Sequence, residues 1–496
     1  MSDVARRLAA QYLSGGTLPG LPTGHLIDGR ELPSLGGETQ ELFDPGRAQP
    51  YHRVAAGQAA DAERAVAAAR TAFRTWRKSA PAERGAILAR AAALVRERRD
   101  AIAVALALEV GKTLAEALGE VGGVAKTFDY YAGAADKIQG ETIPLGPEQL
   151  AFTLLEPVGV VAQIVPWNYP LSTLARGLAP ALAAGCCVVV KPAETTPTST
   201  LMVAKLLLEA GLPPGVCNVL LGTGPAAGQP LVAHPDIAHV NFVGSPATGT
   251  AVMQTAATHF ASITLELGGK SPIVALADCD VAAAASGTVG AIFENAGQIC
   301  SAGSRLVVER RIHRPLVEAI VERAGKLRVG HGLRDNDMGA INSERQLKRV
   351  LGYLDGARAR GRAIVIGGTR VYDDNAGWFV APTVIDALPA DDACVQEEIF
   401  GPVLSVQVAE DAAHALALAN GTRYGLMAGI YTADIGRALK LARELESGQV
   451  TINDYWGGGT GVPFGGVGHS GFGREKGLVG LAAFCRVKAV VAKVPA

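Results

Sequence analysis

Cys300 lies in the stretch Phe293-Glu-Asn-Ala-Gly-Gln-Ile-Cys-Ser-Ala-Gly303, and Glu266 opens Glu-Leu-Gly-Gly-Lys270. Small residues and glycines around the thiol leave room for a bulky electrophile to reach the sulfur. The carboxylate stands alone on the apolar run Ile263-Thr-Leu-Glu-Leu267, where burial would raise its pKa and make it a base. A thiol nucleophile with a separate carboxylate base, and no His/Asp triad motif, points to a thioester made and then hydrolysed. The plainer reading is a buried structural cysteine and an unrelated glutamate. For one isolated cysteine it would prevail.

Other polar residues recur just after short apolar runs. Pro166-Trp-Asn-Tyr-Pro170 sets Asn168 between prolines that stiffen the turn, so its amide could serve as a preorganised donor to an oxyanion. Turn chemistry alone also explains such an asparagine. Lys191-Pro-Ala-Glu194 could bring an acid and an amine to the hydroxyls of an adenosine ribose, with Glu194 repelling a 2′-phosphate. Phe242-Val-Gly-Ser-Pro-Ala-Thr-Gly249 reads as a helix start, with Ser245 as cap and Pro246 as first helical residue. Such an end offers free N–H groups to a pyrophosphate. Gly222-Thr-Gly-Pro-Ala-Ala-Gly228 has the wrong spacing for a dinucleotide fingerprint and reads as a turn. Glu397-Glu-Ile-Phe-Gly-Pro402 could bring a carboxylate and a ring to a nicotinamide riboside. Pro463-Phe-Gly-Gly-Val-Gly-His-Ser-Gly-Phe-Gly-Arg-Glu475 is a glycine-dense loop in which His469 has no assigned role.

The elements that would position these residues alternate regularly. Apolar runs at 158–165, 186–190, 217–221, 239–243 and 263–267 are short and β-rich, and helical segments follow the first four. That order predicts a parallel sheet covered on both faces, with ligands at the carboxyl ends of its strands. Residues 59–138 read as several Ala-rich helices, one starting at Pro81 and one weakened by Gly122-Gly123. A second α/β half begins near Gly268, with strands at 272–275, 305–308 and 404–408 and helices near 312–326 and 342–360. The alternating segment 484–494 reads as a terminal strand, paired either across a subunit boundary or within its own domain.

The chain has 496 residues, too many for one core, and a formal net charge of −1. That balance gives no nucleic-acid or membrane-surface signature, and no apolar stretch is long enough to span a bilayer. Seven scattered cysteines show neither a disulfide framework nor metal-ligand spacing. The expected setting is the cytoplasm, with no metal.

Taken in order, Pro-Trp-Asn-Tyr-Pro, Lys-Pro-Ala-Glu, Phe-Val-Gly-Ser, Glu-Leu-Gly-Gly-Lys, Gly-Gln-Ile-Cys, Glu-Glu-Ile-Phe-Gly-Pro and Pro-Phe-Gly-Gly resemble the NAD(P)-dependent aldehyde dehydrogenase superfamily, from about residue 20 onward. The resemblance implies an α/β fold of three parts. These are a doubly wound, Rossmann-type NAD-binding domain (1–132 and 155–267), a catalytic domain (268–476) and a small β oligomerisation domain (133–154 and 477–496). The last would contain a hairpin near 133–154 and the terminal strand, giving a homodimer or homotetramer.

Carried over residue by residue, the resemblance implies Cys300 as nucleophile, Glu266 as general base, and Asn168 sharing an oxyanion hole with the Cys300 N–H. Lys191 and Glu194 would hold the adenosine ribose, Gly244 and Ser245 the pyrophosphate, and Glu398 and Phe400 the nicotinamide side. Ile164, Pro166, Trp167 and Leu267 would line the cofactor cleft. Glu194 matches members that prefer NAD to NADP. Pro246 departs from the Thr or Ser more usual in the family.

The implied substrate is a small aldehyde. Arg176 would face its tunnel, either pairing with a carboxylate or hydroxyl of a semialdehyde or hydroxyaldehyde, or held by helix and loop carbonyls. Tyr169, Tyr455 and Trp456 would add aromatic wall, while Gly457, Gly458 and Gly459 leave space for a medium-sized or aromatic aldehyde. A CoA-acylating enzyme is the close rival, although that branch usually lacks the Glu266 equivalent. A catalytically silent binding or structural protein on the same fold is the other alternative.

Overall fold

The computed structural model describes residues 2–372 and 377–494; positions 1, 373–376 and 495–496, within the expected domain limits, lie outside the described residues. An eight-stranded sheet runs in the order Arg30–Leu32, His25–Ile27, Cys217–Val219, Cys187–Lys191, Val160–Ile164, Ile237–Val243, Ser262–Glu266, Gly471–Phe472. Its five central strands are parallel, and each falls on a run expected from the sequence. Continuous burial on both faces explains the unbroken apolar runs: Cys187–Lys191 is buried at every position. Parallel register sets Ile164 beside Lys191 and Val243 beside Glu266, so the polar residues that follow gather at one sheet edge.

Helices pack against that sheet through the cluster that includes Leu171, Leu174, Leu178, Val188 and Val240. The helix Pro170–Ala184 starts on a proline and stops at Gly185, whose φ of 95° suits glycine. Pro81 starts its helix as expected. The Gly122-Gly123 pair interrupts nothing. The helix Leu114–Ala134 runs through it, held by a Thr113/Glu116 capping box and by Val121, Val124, Ala125 and Phe128 in the core. Tertiary packing outweighs the glycine penalty there.

A seven-stranded sheet forms the second half, in the order Ala363–Ile366, Thr383–Asp386, Val403–Ala409, Arg305–Glu309, Pro272–Ala275, Met427–Tyr431, Gln449–Ile452. Three of these strands match the sequence expectation. The terminal strand Cys485–Lys493 pairs antiparallel with Gln149–Pro157 along its whole length, and Thr142–Ile143 completes a separate three-stranded sheet. The hairpin therefore starts later than 133, because helix and 3-10 turn continue to Lys137. It also extends to Pro157. Gly471–Phe472, within the expected catalytic segment 268–476, adds a strand to the first sheet.

Candidate active site

Cys300 sits on a tight loop between the helix Val281–Phe293 and the strand Arg305–Glu309. Asn295, Ala296 and Gly297 have φ of 49°, 52° and 72° in succession, a left-handed run that costs energy for the two non-glycine residues. Gln298 holds it. Its side chain donates to the carbonyls of Asn295 and Ala340 and accepts from the Asn342 N–H. A Cβ on Gly269 would stand 2.5 Å from the Cys300 carbonyl, so the Gly-Gly of Glu-Leu-Gly-Gly-Lys lets two backbones touch. Among the described residues the Cys300 N–H has no acceptor.

Asn168 reaches the same loop. It is 6% exposed, and its Nδ2 donates to the Gln298 carbonyl at 2.9 Å. One amide hydrogen remains for the cavity. Asn295 in turn donates to the Asn168 carbonyl at 3.0 Å. Burial pushes the Cys300 thiol up to about 11, against the pull of Arg176, and Glu266 adds to the rise.

Glu266 ends the strand Ser262–Glu266 and is 1% exposed, and among the described residues neither carboxylate oxygen has a hydrogen-bond partner. Burial first, and Glu475 second, hold its pKa well above the usual carboxylate range; Arg176, Arg474 and Lys476 oppose them. Gly465 makes the room, since a Cβ there would lie 2.6 Å from Glu266 Oε1.

A cavity of about 210 Å³ opens onto the sulfur, lined by Asn168, Tyr169, Arg176, Cys300, Trp456 and Phe464 among others. Gly457 and Gly459 line it as expected; Tyr455 does not. Its ring is 1% exposed beneath the site, with its hydroxyl donating to the Ser301 carbonyl and an edge-to-face contact to Trp456. Arg176 lines the cavity but is already bound. Its Nε donates to Glu475 Oε2 at 2.6 Å and its Nη2 reaches the same oxygen. The second oxygen of Glu475 accepts from Asn241. Glu475 closes the glycine-dense loop and was legible only as a carboxylate among glycines. Glu294 and Lys476 also face the cavity without any sequence signal of that placement. The Glu294 carboxylate, raised by burial, accepts from the Tyr169 hydroxyl.

On the other side of the sulfur, the expected cofactor residues gather at the carboxyl edge of the first sheet. Ser245 caps the helix Pro246–Ala257 through Thr248 N, leaving the helix end open. Gly244 offers no free N–H, because its amide donates to the Glu266 carbonyl. Lys191 Nζ lies 3.6 Å from the Glu194 carboxylate, which is 42% exposed at the rim. Leu267 packs against Gly249 of that helix, where a Cβ would meet it at 2.6 Å. Ile164 ends its strand, and half-buried Pro166 and Trp167 follow it. The Trp167 ring meets Phe400 edge to face, centroids 5.3 Å apart. Glu398 accepts from the Gly269 N–H, and burial raises its carboxyl to about 7. An open helix end, an acid–amine pair at the rim and a paired aromatic wall fit a dinucleotide.

The chain is similar to known proteins along nearly its whole length. An aldehyde dehydrogenase of Aspergillus niger is 40% identical over 472 residues, 95% of each chain. The crystal structure of betaine aldehyde dehydrogenase from Staphylococcus aureus in complex with NAD+ superposes with a TM-score of 0.93 at 38% identity, covering 96% of this chain and 95% of the other. Indole-3-acetaldehyde dehydrogenase complexed with NAD+ gives a TM-score of 0.96 at 37% identity over 99% of both chains. The aldehyde dehydrogenase family pattern matches residues 33–490. The chain belongs to the aldehyde dehydrogenase family.

Proposed function

We propose that this protein oxidises a small aldehyde to its carboxylic acid, with NAD as acceptor, through a covalent adduct on Cys300 that water hydrolyses. The observation that carries this reading is Glu266, a buried carboxylate with both oxygens unpartnered. A base kept dry and unpaired can take a proton from water. It would be wasted in an enzyme that hands its acyl group to coenzyme A.

Cys300 loses its thiol proton to solvent, and the thiolate Sγ adds to the aldehyde carbon, forming the C–S bond as the carbonyl π bond opens onto its oxygen. The Arg176 charge favours the thiolate. Negative charge gathers on the former carbonyl oxygen, where Asn168 Nδ2 and the Cys300 N–H stabilise it. NAD, when bound, supplies the acceptor for the hydride whose loss converts this adduct into a thioester. Glu266 then takes a proton from water as the water oxygen bonds to the thioester carbon. The C–S bond breaks, the thiolate leaves, and the acid is released.

Support for NAD comes from the cleft residues Lys191, Glu194, Ser245, Trp167, Glu398 and Phe400, and from the NAD+ held by two relatives. The reading includes the three-part domain division, with the small sheet as the oligomerisation element of a dimer or tetramer. Val487 and Val491 on its terminal strand are exposed and apolar, which supports that role. No helix among the described residues is long and apolar enough to cross a membrane. Seven unpaired cysteines fit a reducing compartment, taken here as the cytoplasm.

Rapid mixing with an aldehyde and NAD tests the scheme. Cys300→Ala should abolish both the NADH burst and turnover, while Glu266→Gln should keep the burst and slow turnover. Unchanged turnover in Glu266→Gln, or acid formation that requires CoA, would overturn the reading.

A further inference from the structure

Resting on the aldehyde-oxidising reading above, we infer that Lys476 forms an anion subsite in the cavity that selects aldehydes carrying a second, carboxylate end. Two cationic side chains line the cavity, Arg176 and Lys476. Their states differ. Arg176 is paired with Glu475 and stacks on the Phe464 ring, its guanidinium carbon 4.8 Å from the centroid. Lys476 Nζ lies 5.1 Å from the centroid of the same ring, and among the described residues it has no carboxylate within ion-pair distance.

The backbone adds a second observation. Lys476 has φ 61° and ψ 171°, a region that only glycine adopts without strain. Hydrogen bonds on both sides enforce it: Glu475 and Phe464 exchange N–H···O bonds, and the Gly477 N–H donates to the Thr460 carbonyl. A lysine forced into a glycine conformation to face the cavity is a residue held for its side chain. The acids facing it do not cancel its charge. Glu475 is bound by Arg176, Glu266 is biased to its neutral form by burial, and Glu294 is biased the same way while hydrogen-bonded to Tyr169. Burial and the neighbouring Arg176 lower the Lys476 ammonium to about 8, so it is charged at neutral pH and stands to gain from a partner. A carboxylate is that partner.

The cavity, about 210 Å³ with Tyr169, Phe464 and Trp456 as walls, suits a short chain or a single ring between the two ends. The expected substrate class is thus an ω-oxo-carboxylic acid or a carboxylated aromatic aldehyde.

Matched pairs test the subsite: 4-oxobutanoate against butanal, and 4-carboxybenzaldehyde against benzaldehyde, each followed by NADH formation. In the unsubstituted protein the carboxylated member should have the higher kcat/KM. Lys476→Met should lower the ratio of carboxylated to neutral kcat/KM at least about tenfold, mainly through KM, as expected for loss of a charge-assisted hydrogen bond. Lys476→Arg should restore most of the ratio. Lys476→Gly removes the charge while easing the backbone, and should lower the ratio as Lys476→Met does even if the latter folds poorly. An unchanged ratio in Lys476→Gly, or no preference in the unsubstituted protein, overturns the subsite. Failure to oxidise any of the four aldehydes overturns the underlying function instead.

Discussion

The Arg176 guanidinium is bound to the Glu475 carboxylate across 299 residues of sequence, with the acid 3% exposed and its other oxygen held by Asn241. The arginine beside Cys300 is thus built into the scaffold and is not free for substrate. Removing it exposes two effects. Arg176→Ala leaves a buried acid without its partner and is expected to cost about 3 kcal/mol of stability, read as a lower denaturation midpoint. It also removes the group that lowers the Cys300 pKa, so the thiol pKa, already raised by burial, should rise further. Iodoacetamide alkylation of Cys300 at a fixed neutral pH should slow accordingly.

That pair also marks the limit of what the sequence carries. The five parallel strands of the first sheet and three of the seven in the second were legible as short continuous apolar runs, which suit a sheet buried on both faces. Cys300, Glu266 and Asn168 stood out as candidates because each sits in a local pattern of glycines, prolines or apolar neighbours. Partnership between Arg176 and Glu475 depends on how a C-terminal loop folds back onto the first sheet through Gly471–Phe472, and no local pattern encodes it. Tyr455 and Trp456 show the same gap at shorter range. They are adjacent in sequence, yet one is buried under Ser301 and the other lines the cavity.

Asn168 offers one amide hydrogen to the cavity after bonding the Gln298 carbonyl. Asn168→Ala should therefore slow formation of the adduct, lowering the burst rate about 100-fold or more. A smaller effect confined to KM would mean that the side chain orients the loop without stabilising the oxyanion. Stopped-flow comparison with Glu266→Gln separates the two.

Glu194 stands at the open rim, 3.6 Å from Lys191 Nζ. Replacing it with serine removes the charge that would repel a 2′-phosphate and leaves Lys191 free to meet one. The ratio of kcat/KM for NAD to that for NADP should fall about tenfold or more. An unchanged ratio would place the ribose elsewhere.

Burial raises the Glu266 pKa, and this has a consequence for stability as well as for turnover. Between the unfolded and the folded pKa the native state binds the extra proton, so stability falls as pH rises through that interval. Glu266→Gln lacks this penalty. Its advantage over the unsubstituted protein should be small near pH 4 and grow as pH rises toward neutrality. Turnover runs the opposite way. Deacylation needs the ionised carboxylate, so kcat should climb with pH through the raised pKa, and the climb should vanish in Glu266→Gln. Parallel denaturation and kinetic series on both proteins would show the two opposed trends, and their absence would place the base elsewhere.

Two glycines bring the half-reactions within reach of separate damage. A Cβ on Gly269 would lie 2.5 Å from the Cys300 carbonyl, whereas one on Gly465 would lie 2.6 Å from Glu266 Oε1 and 2.7 Å from the Gly473 carbonyl. Neither backbone contact can be relieved by turning a side chain. Gly269→Ala must therefore move the nucleophile loop, and should reduce burst amplitude and turnover together. Gly465→Ala presses on the base and on its own loop, and should slow turnover more than about tenfold while the burst persists. Should Gly465→Ala abolish the burst as well, the glycine-dense loop would be positioning Cys300 along with Glu266, and the division of labour between the two residues would fail at this point.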